Sequence, residues 1–237
     1  TIPIMVGNKS VPSERMPDCF STGSLAGKKA LIVGGTSGIG HEVAKLLFVN
    51  GMQVTVTGRS LPDICIPKDN AAVVEYINVD FEKDGLAALE SSLFAEALYA
   101  CDILCVSYGP FVQKRIDQTT VEDWKKISLF DYALPGILTS SVLKSMMVRK
   151  WGRIVFFGGT RTDTIRSYRT NAAYAGAKTG VSVLVKSVAA SYGEYNITCN
   201  AVLPGPVTAV PTGAPAITVG DVAQKVLFLL SSPELNG

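Results

Sequence analysis

The chain has 237 residues, 47% of them hydrophobic and 18% charged, with a net charge of +2 and a mean hydropathy of +0.28. That length and composition suit one domain with a large core. The near-neutral balance, with no basic run, argues against a nucleic-acid partner, and no apolar stretch is long enough to cross a bilayer or has the form of a signal peptide.

Residues 1–27 mix prolines, glycines and polar residues with little periodicity, so an N-terminal arm is expected there, packed on a neighbouring subunit. The chain opens on Thr1, which points to processing or truncation ahead of it. Residues 28–237 are expected to form the folded domain.

Ala30-Leu31-Ile32-Val33 is a short apolar run with β-branched members and reads as a buried strand. Gly34, Gly35, Gly38 and Gly40 follow at once. Then His41 to Val49 is apolar at helical spacing and stops at Asn50-Gly51. Strand, glycine turn and helix together give the turn a physical meaning. Glycines let the backbone bend sharply and come close to a pyrophosphate. The helix amino end offers unpaired N–H groups and a positive dipole end. Gly34, Thr36, Ser37, Gly38, Ile39 and Gly40 are therefore candidate dinucleotide contacts. A glycine-rich turn without a ligand is the competing reading.

Gln53 to Thr57 reads as a second strand and ends in Gly58-Arg59-Ser60. In a dinucleotide fold this end meets the adenosine ribose. An acidic residue there would favour NAD. Arg59 instead suits a 2′-phosphate, so Arg59 and Ser60 favour NADP over NAD. A surface arginine on a loop is the bland alternative.

Val73 to Val79 is a third strand, ending at Asp80-Phe81. Leu86, Leu89, Leu93 and Ala97 mark a helical stripe within residues 82–100. Asp102 to Val106 is a fourth strand. Thr120 to Asp123 is a capping box, opening a helical region that runs to about Lys150. Arg153 to Phe157 is a fifth strand, followed by Gly158-Gly159-Thr160. A helix runs from Ala172 to Tyr192 and a sixth strand from Ile197 to Leu203. Thr218 to Asp221 is a second capping box at the last helix. Regular alternation of strands and helices gives a doubly wound parallel sheet, three layers of Rossmann type in a single α/β domain.

Cysteine usage adds a compartment. Cys19, Cys65, Cys101, Cys105 and Cys199 are odd in number and lack zinc spacing, so no metal site is expected. Cys101 and Cys105 flank Ile103-Leu104 and read as core residues. A reducing cytoplasm is the expected location.

Tyr174 and Lys178 lie four residues apart on the expected helix and so share a face. A free phenol has a pKa of about 10, too high for easy proton exchange near neutrality. A neighbouring cation lowers it. Such a tyrosine can give a proton to a carbonyl oxygen or take one from an alcohol. Alone, the pair occurs by chance on many helices.

Together with the other motifs, the pair makes the chain resemble a short-chain dehydrogenase/reductase, nearest the 3-oxoacyl-acyl-carrier-protein reductases. The resemblance covers roughly residues 27–237. It is carried by Gly34-x-x-x-Gly38-Ile39-Gly40, Asp80, Asp102-Ile-Leu, Trp124, Gly152-Arg-Ile-Val, Tyr174-x-x-x-Lys178, Asn200-Ala-Val and Pro204-Gly205. It implies that Tyr174 is the general acid/base with Lys178 lowering its pKa, and that Asp80 and Phe81 border the adenine. It also implies that Lys178 holds the nicotinamide ribose, and that Pro204, Gly205 and Val207 line the nicotinamide, with Ser107 and Gly109 along the cofactor groove. The implied partner is a small carbonyl or alcohol substrate. A homo-oligomer, dimer or tetramer, is the expected assembly.

Four departures from the family pattern bear on activity. Val106-Ser107-Tyr108-Gly109 stands where the family has Asn-Asn-Ala-Gly, and Tyr108 adds bulk where a cofactor would pass. Asp131 replaces the asparagine of the proton relay, and its charge would hold the Lys178 proton more tightly. Gly159 takes the place of the catalytic serine, leaving Thr160 as the substitute oxyanion donor. About two extra residues before Tyr174 shift this register by one or two positions. The segment after Pro204-Gly205 is also short for a substrate lid, and the family's last strand does not follow Asn236-Gly237. The leading expectation is an NADP-dependent carbonyl reductase. A catalytically impaired NADP-binding sensor or scaffold is the alternative, and a cofactor-free fold, motivated by Tyr108, is a third.

Overall fold

The computed structural model describes residues 25–62, 74–205, 207–208 and 217–237. The arm expected over residues 1–27 lies almost wholly outside the described residues, as do Cys19 and Cys65. Strands β1 (Lys29–Val33), β2 (Gln53–Gly58), β3 (Val74–Asn78), β4 (Ile103–Val106), β5 (Gly152–Phe157) and β6 (Ile197–Val202) form one sheet in the order β3-β2-β1-β4-β5-β6. Every neighbouring pair is parallel. This is the doubly wound order, and the reversal between β1 and β4 opens a crevice beyond their carboxyl ends.

Strand alternation sorts the core into two layers. Leu31, Val33, Leu104, Val106, Ile154 and Phe156 point to one face. There they meet α3 (Ser92–Ala100), α5 (Leu134–Arg149) and α6 (Ala172–Tyr192) through Phe94, Leu138, Val142, Val181 and Val185. Ala30, Ile32, Val54, Val56, Cys105 and Val155 point the other way. They meet α1 (Gly38–Val49) and α7 (Val219–Ser231) through Val43, Leu47, Val226 and Leu230. Both faces are covered, so the central strands β1, from Ala30 on, and β4 are apolar on both sides rather than alternating with polar residues.

The single helix expected over residues 82–100 is broken. A one-turn α2 (Phe81–Asp84) gives way to a 3-10 segment at Gly85–Glu90 before α3 begins. Gly85 sits at φ +57, a left-handed conformation that ends the first turn. Thr120 and Thr218 cap α4 (Val121–Ser128) and α7 with reciprocal capping boxes, as their spacing predicts. Between α4 and α5 the helix widens to a π turn over Leu129–Ala133, which holds Asp131. A short parallel pair, β7 (Val207–Thr208) and β8 (Ile217–Thr218), follows β6. No helix among the described residues is long and apolar enough to cross a membrane.

Candidate active site

The crevice starts at the turn after β1. Gly34 stands at φ +82, and a Cβ there would lie 2.6 Å from the Tyr108 backbone nitrogen. Only glycine permits both the conformation and the approach. Thr57, at the end of β2, braces the turn: its hydroxyl accepts from Gly34 N at 3.2 Å and its carbonyl from Gly35 N at 2.9 Å. Gly38 opens α1 at φ +57, and a Cβ there would meet nothing within 4 Å. Ser37 makes no side-chain cap, and the first turn of α1 has no acidic residue. An open, uncapped, positive helix end suits a pyrophosphate. Ile39 is half-buried, and buried Gly40 backs onto the Gly34 carbonyl and Ser107.

At the adenosine end Arg59 and Ser60 are exposed beyond β2, and the Thr36 side chain lies over Gly58. Arg59 Nη1 reaches Glu82 Oε2 at 3.3 Å, while Lys126 Nζ holds Glu82 Oε1 at 2.7 Å. Lys126, ahead of Arg59, holds the Glu82 carboxyl below its ordinary value. These are solvent-screened pairs of small worth, so the guanidinium is open to exchange for a stronger anion. The two residues expected to border the adenine are held in place by contacts of their own. Asp80 Oδ1 accepts from Glu82 N at 3.0 Å and Lys83 N at 3.3 Å, capping α2. The Phe81 ring is buried against Tyr108, with ring centroids 4.9 Å apart.

Tyr108 does not behave as a plug. Its ring packs with Phe81 and edge-on to Phe130 at 5.6 Å, against the core. The bulk that Tyr108 adds is packed into this aromatic cluster.

Tyr174 and Lys178 share one face of α6, with Nζ 5.6 Å from the phenol ring centroid. A carboxylate stands beside the ammonium. Asp131, 0% exposed on its π turn, meets Lys178 Nζ with Oδ1 at 2.9 Å. No well-directed hydrogen bond reaches either carboxylate oxygen among the described residues. Burial pushes the Asp131 carboxyl up to about 6, against the pull of Lys178. The Tyr174 phenol goes up too, to about 12, first through burial and then through the charge of Asp131. Gly109 covers the pair: a Cβ there would run into Asp131 Oδ1 and lie 3.1 Å from Lys178 Nζ. Phe111 stacks edge-on against Tyr174 with centroids 4.8 Å apart.

A family model for the short chain dehydrogenases matches residues 28–215. The chain belongs to the short-chain dehydrogenase family. Among curated relatives, the 2-dehydro-3-deoxy-D-gluconate 5-dehydrogenase of Formosa agariphila is 30% identical over 191 residues, which is 76% of this chain and 70% of that one. The 3-oxoacyl-[acyl-carrier-protein] reductase of Vibrio harveyi is 29% identical over 236 residues, 89% and 92% of the two chains. A solved short chain dehydrogenase/reductase family protein superposes with a TM-score of 0.77 at 25% identity, covering 90% of this chain and 94% of that one. The chain is therefore a member of an oxidoreductase family.

In this short-chain dehydrogenase the turn after β5 carries the glycine expected to replace a serine. A Cβ at Gly159 would lie 2.9 Å from Tyr174 Cε1 and 3.1 Å from Thr162 Cγ2, so a serine has no room there. Thr160 is exposed, and its carbonyl accepts from the Tyr168 hydroxyl at 3.2 Å. Thr162, not singled out in the sequence, is buried, and its methyl flanks Gly159 together with the Tyr174 ring. It accepts from Gly159 N at 3.1 Å and donates to Gly159 O at 2.9 Å, while Ser182 of α6 donates to its carbonyl at 3.1 Å. The signal for it was the offset of about two residues ahead of Tyr174, a register shift within the usual uncertainty of such boundaries. Beyond β6, Pro204, Gly205 and Val207 are half-buried and lead into the β7–β8 pair.

Proposed function

We propose that this protein is an NADP-dependent carbonyl reductase in which Tyr174 carries the proton. The observation that carries this reading is the phenol itself, half-buried on α6 with a cation on the same helix face and a glycine-lined crevice at the switch point of the sheet. The open amino end of α1, with Gly34, Thr36, Ser37, Gly38, Ile39 and Gly40, would hold the pyrophosphate. Arg59 and Ser60 would receive the 2′-phosphate, and Ser107, Gly109, Lys178, Pro204, Gly205 and Val207 would lie along the nicotinamide half. NADP, when bound, supplies or accepts the hydride. The protein positions the carbonyl and handles the proton. Burial and the charge of Asp131 raise the phenol, so it stays protonated through the neutral range and is available as a donor to the forming alkoxide, though as a weaker acid than a free tyrosine. Phe111, edge-on to Tyr174, shields the phenol from water on one side.

A second reading is favoured by the β5 turn. The Thr162 hydroxyl is committed to Gly159, and Thr160 is exposed, so its hydroxyl would meet an oxyanion in contact with water, where such a donor is worth less. Losing such a donor costs ~3 kcal/mol of transition-state stabilisation, a factor of about 100 in rate. A protein slowed that far would serve as an NADP-binding sensor or scaffold. NADPH consumption across a panel of small ketones and 3-oxoacyl thioesters separates the two. Turnover well above that of Tyr174→Phe supports the reductase. Tight NADPH binding with turnover no better than that variant supports the sensor.

Self-association and a reducing compartment belong to the same proposal. Tyr132 and Ile137 expose apolar surface at a groove of about 510 Å³ that Leu184 of α6 also lines, and Val183 is exposed on the same helix. Buried, unpaired Cys101, Cys105 and Cys199 fit a reducing cytoplasm.

A further inference from the structure

The carboxylate beneath Gly109 is the part of the site that the reductase reading leaves over. We propose that Asp131 is a positioning residue: its carboxylate takes up the charge of Lys178, so that the ammonium anchors the π turn instead of activating Tyr174. The inference rests on the reading of Tyr174 as the proton carrier, and it adds what sets that carrier's acidity.

The geometry carries it. Asp131 is fully covered and its Oδ1 lies 2.9 Å from Lys178 Nζ, whereas the same nitrogen is 5.6 Å from the Tyr174 ring centroid. Coulomb energy falls with distance, and a carboxylate is a full opposite charge while a protonated phenol is none. The nearer and stronger partner therefore holds the ammonium. Together the two ions form a nearly neutral unit, and the phenol beyond them feels burial more than it feels a cation. The π turn is what admits the carboxylate, since a single widened turn redirects one side chain without ending the helix. Gly109 closes over the pair because any side chain there would enter it.

The charged and titratable groups that face Asp131 are few. From α6 they are Lys178 and Tyr174, and from the segment after β4 Tyr108, whose phenol also feels the carboxylate. From that segment Gly109 contributes only backbone. Removing the carboxylate charge therefore leaves one cation facing the Tyr174 phenol. An opposite charge nearby favours the ionised form and lowers a pKa by about 1 to 3 units.

The test is a titration of the phenol in the full-length protein. Near-ultraviolet tyrosinate absorbance is followed with pH in the parent and in Asp131→Asn, and each is referred to the same protein carrying Tyr174→Phe, so that one phenol is isolated. In the parent the Tyr174 phenol is expected to stay protonated through about pH 10, the ordinary tyrosine value. In Asp131→Asn it is expected to ionise about 1 to 3 pH units lower than in the parent, a ten- to thousandfold rise in its ionisation constant. Asp131→Ser, which removes the same charge from a smaller side chain, must give a shift in the same direction and guards against a folding defect of one variant. Equal titration of the phenol in parent and variants overturns the proposal. The pH profile of alcohol oxidation supplies the second readout, and its rising limb moves to lower pH with the phenol. A shifted phenol in proteins that turn over no substrate sustains the role of Asp131 and removes the reductase reading. Turnover with an unshifted phenol does the reverse.

Discussion

At Gly159 the scale of argument is a single Cβ. A serine introduced there would place that atom 2.9 Å from the Tyr174 ring and 3.1 Å from Thr162 Cγ2, closer than packed atoms settle. Gly159→Ser is expected to displace the phenol rather than restore an oxyanion donor. It should lower kcat/KM about ten- to a hundredfold and cost about 1–3 kcal/mol of stability. A rise in kcat/KM in steady-state assays would contradict this. Asp131 gives a pH dependence whose sign is fixed. Its carboxyl lies at about 6 in the folded protein against an ordinary 3.8, so the folded state binds the proton more tightly. Its contribution to stability is present below about pH 4 and is lost as pH rises through about 6. A displacement of roughly two pH units is worth about 3 kcal/mol. Urea denaturation of the parent relative to Asp131→Asn should show the parent losing ground by about that amount between pH 4 and pH 7. A parent that gains ground over that interval would reverse the sign. The Gly159 departure and the pairing of Asp131 with Lys178 were legible only through the family resemblance. The π turn that carries Asp131 and the turn that folds Thr162 back onto Gly159 were not, because local spacing does not specify them.

Elements were more legible where their signals are local. Both capping boxes and the strand–turn–helix at Gly34 follow from spacing over a few residues, and they stand as expected. The segment 82–100 does not, because the leucine stripe is continuous while Gly85 at φ +57 interrupts the backbone beneath it. The end of β2 supports a prediction at this scale. Arg59 is exposed and held only by Glu82, so a 2′-phosphate can displace that pair. Arg59→Ala is expected to weaken NADPH binding about tenfold or more in calorimetry and leave NADH binding unchanged, since a hydrogen bond to a charged group is worth about 1.5–3 kcal/mol. Equal loss for both nucleotides would remove Arg59 from the 2′-phosphate site.

For the whole molecule, the alternation of apolar strands and amphipathic helices was enough to give the doubly wound sheet, because both faces of a parallel sheet must be buried. What covers the outer apolar residues was not written in that pattern. Ile137, which lines the groove, and Val183 on α6 are 38% and 59% exposed, and charging them should separate the subunits of the expected homo-oligomer. Sedimentation equilibrium is expected to give an oligomer for the parent and a monomer for Ile137→Glu/Val183→Glu, and a parent that sediments as a monomer would refute the assembly. The central claim is that Tyr174 delivers the proton as a carbonyl is reduced beside a bound nicotinamide. Its most direct measurement uses NADPH deuterated at the transferable position, with a reducible ketone and with calorimetry to follow nucleotide affinity. Deuterium should appear on the carbinol carbon with the parent protein, and should fall to background with Tyr174→Phe while the Kd for NADPH is unchanged. Deuterium transfer by Tyr174→Phe at the parent rate would contradict the claim.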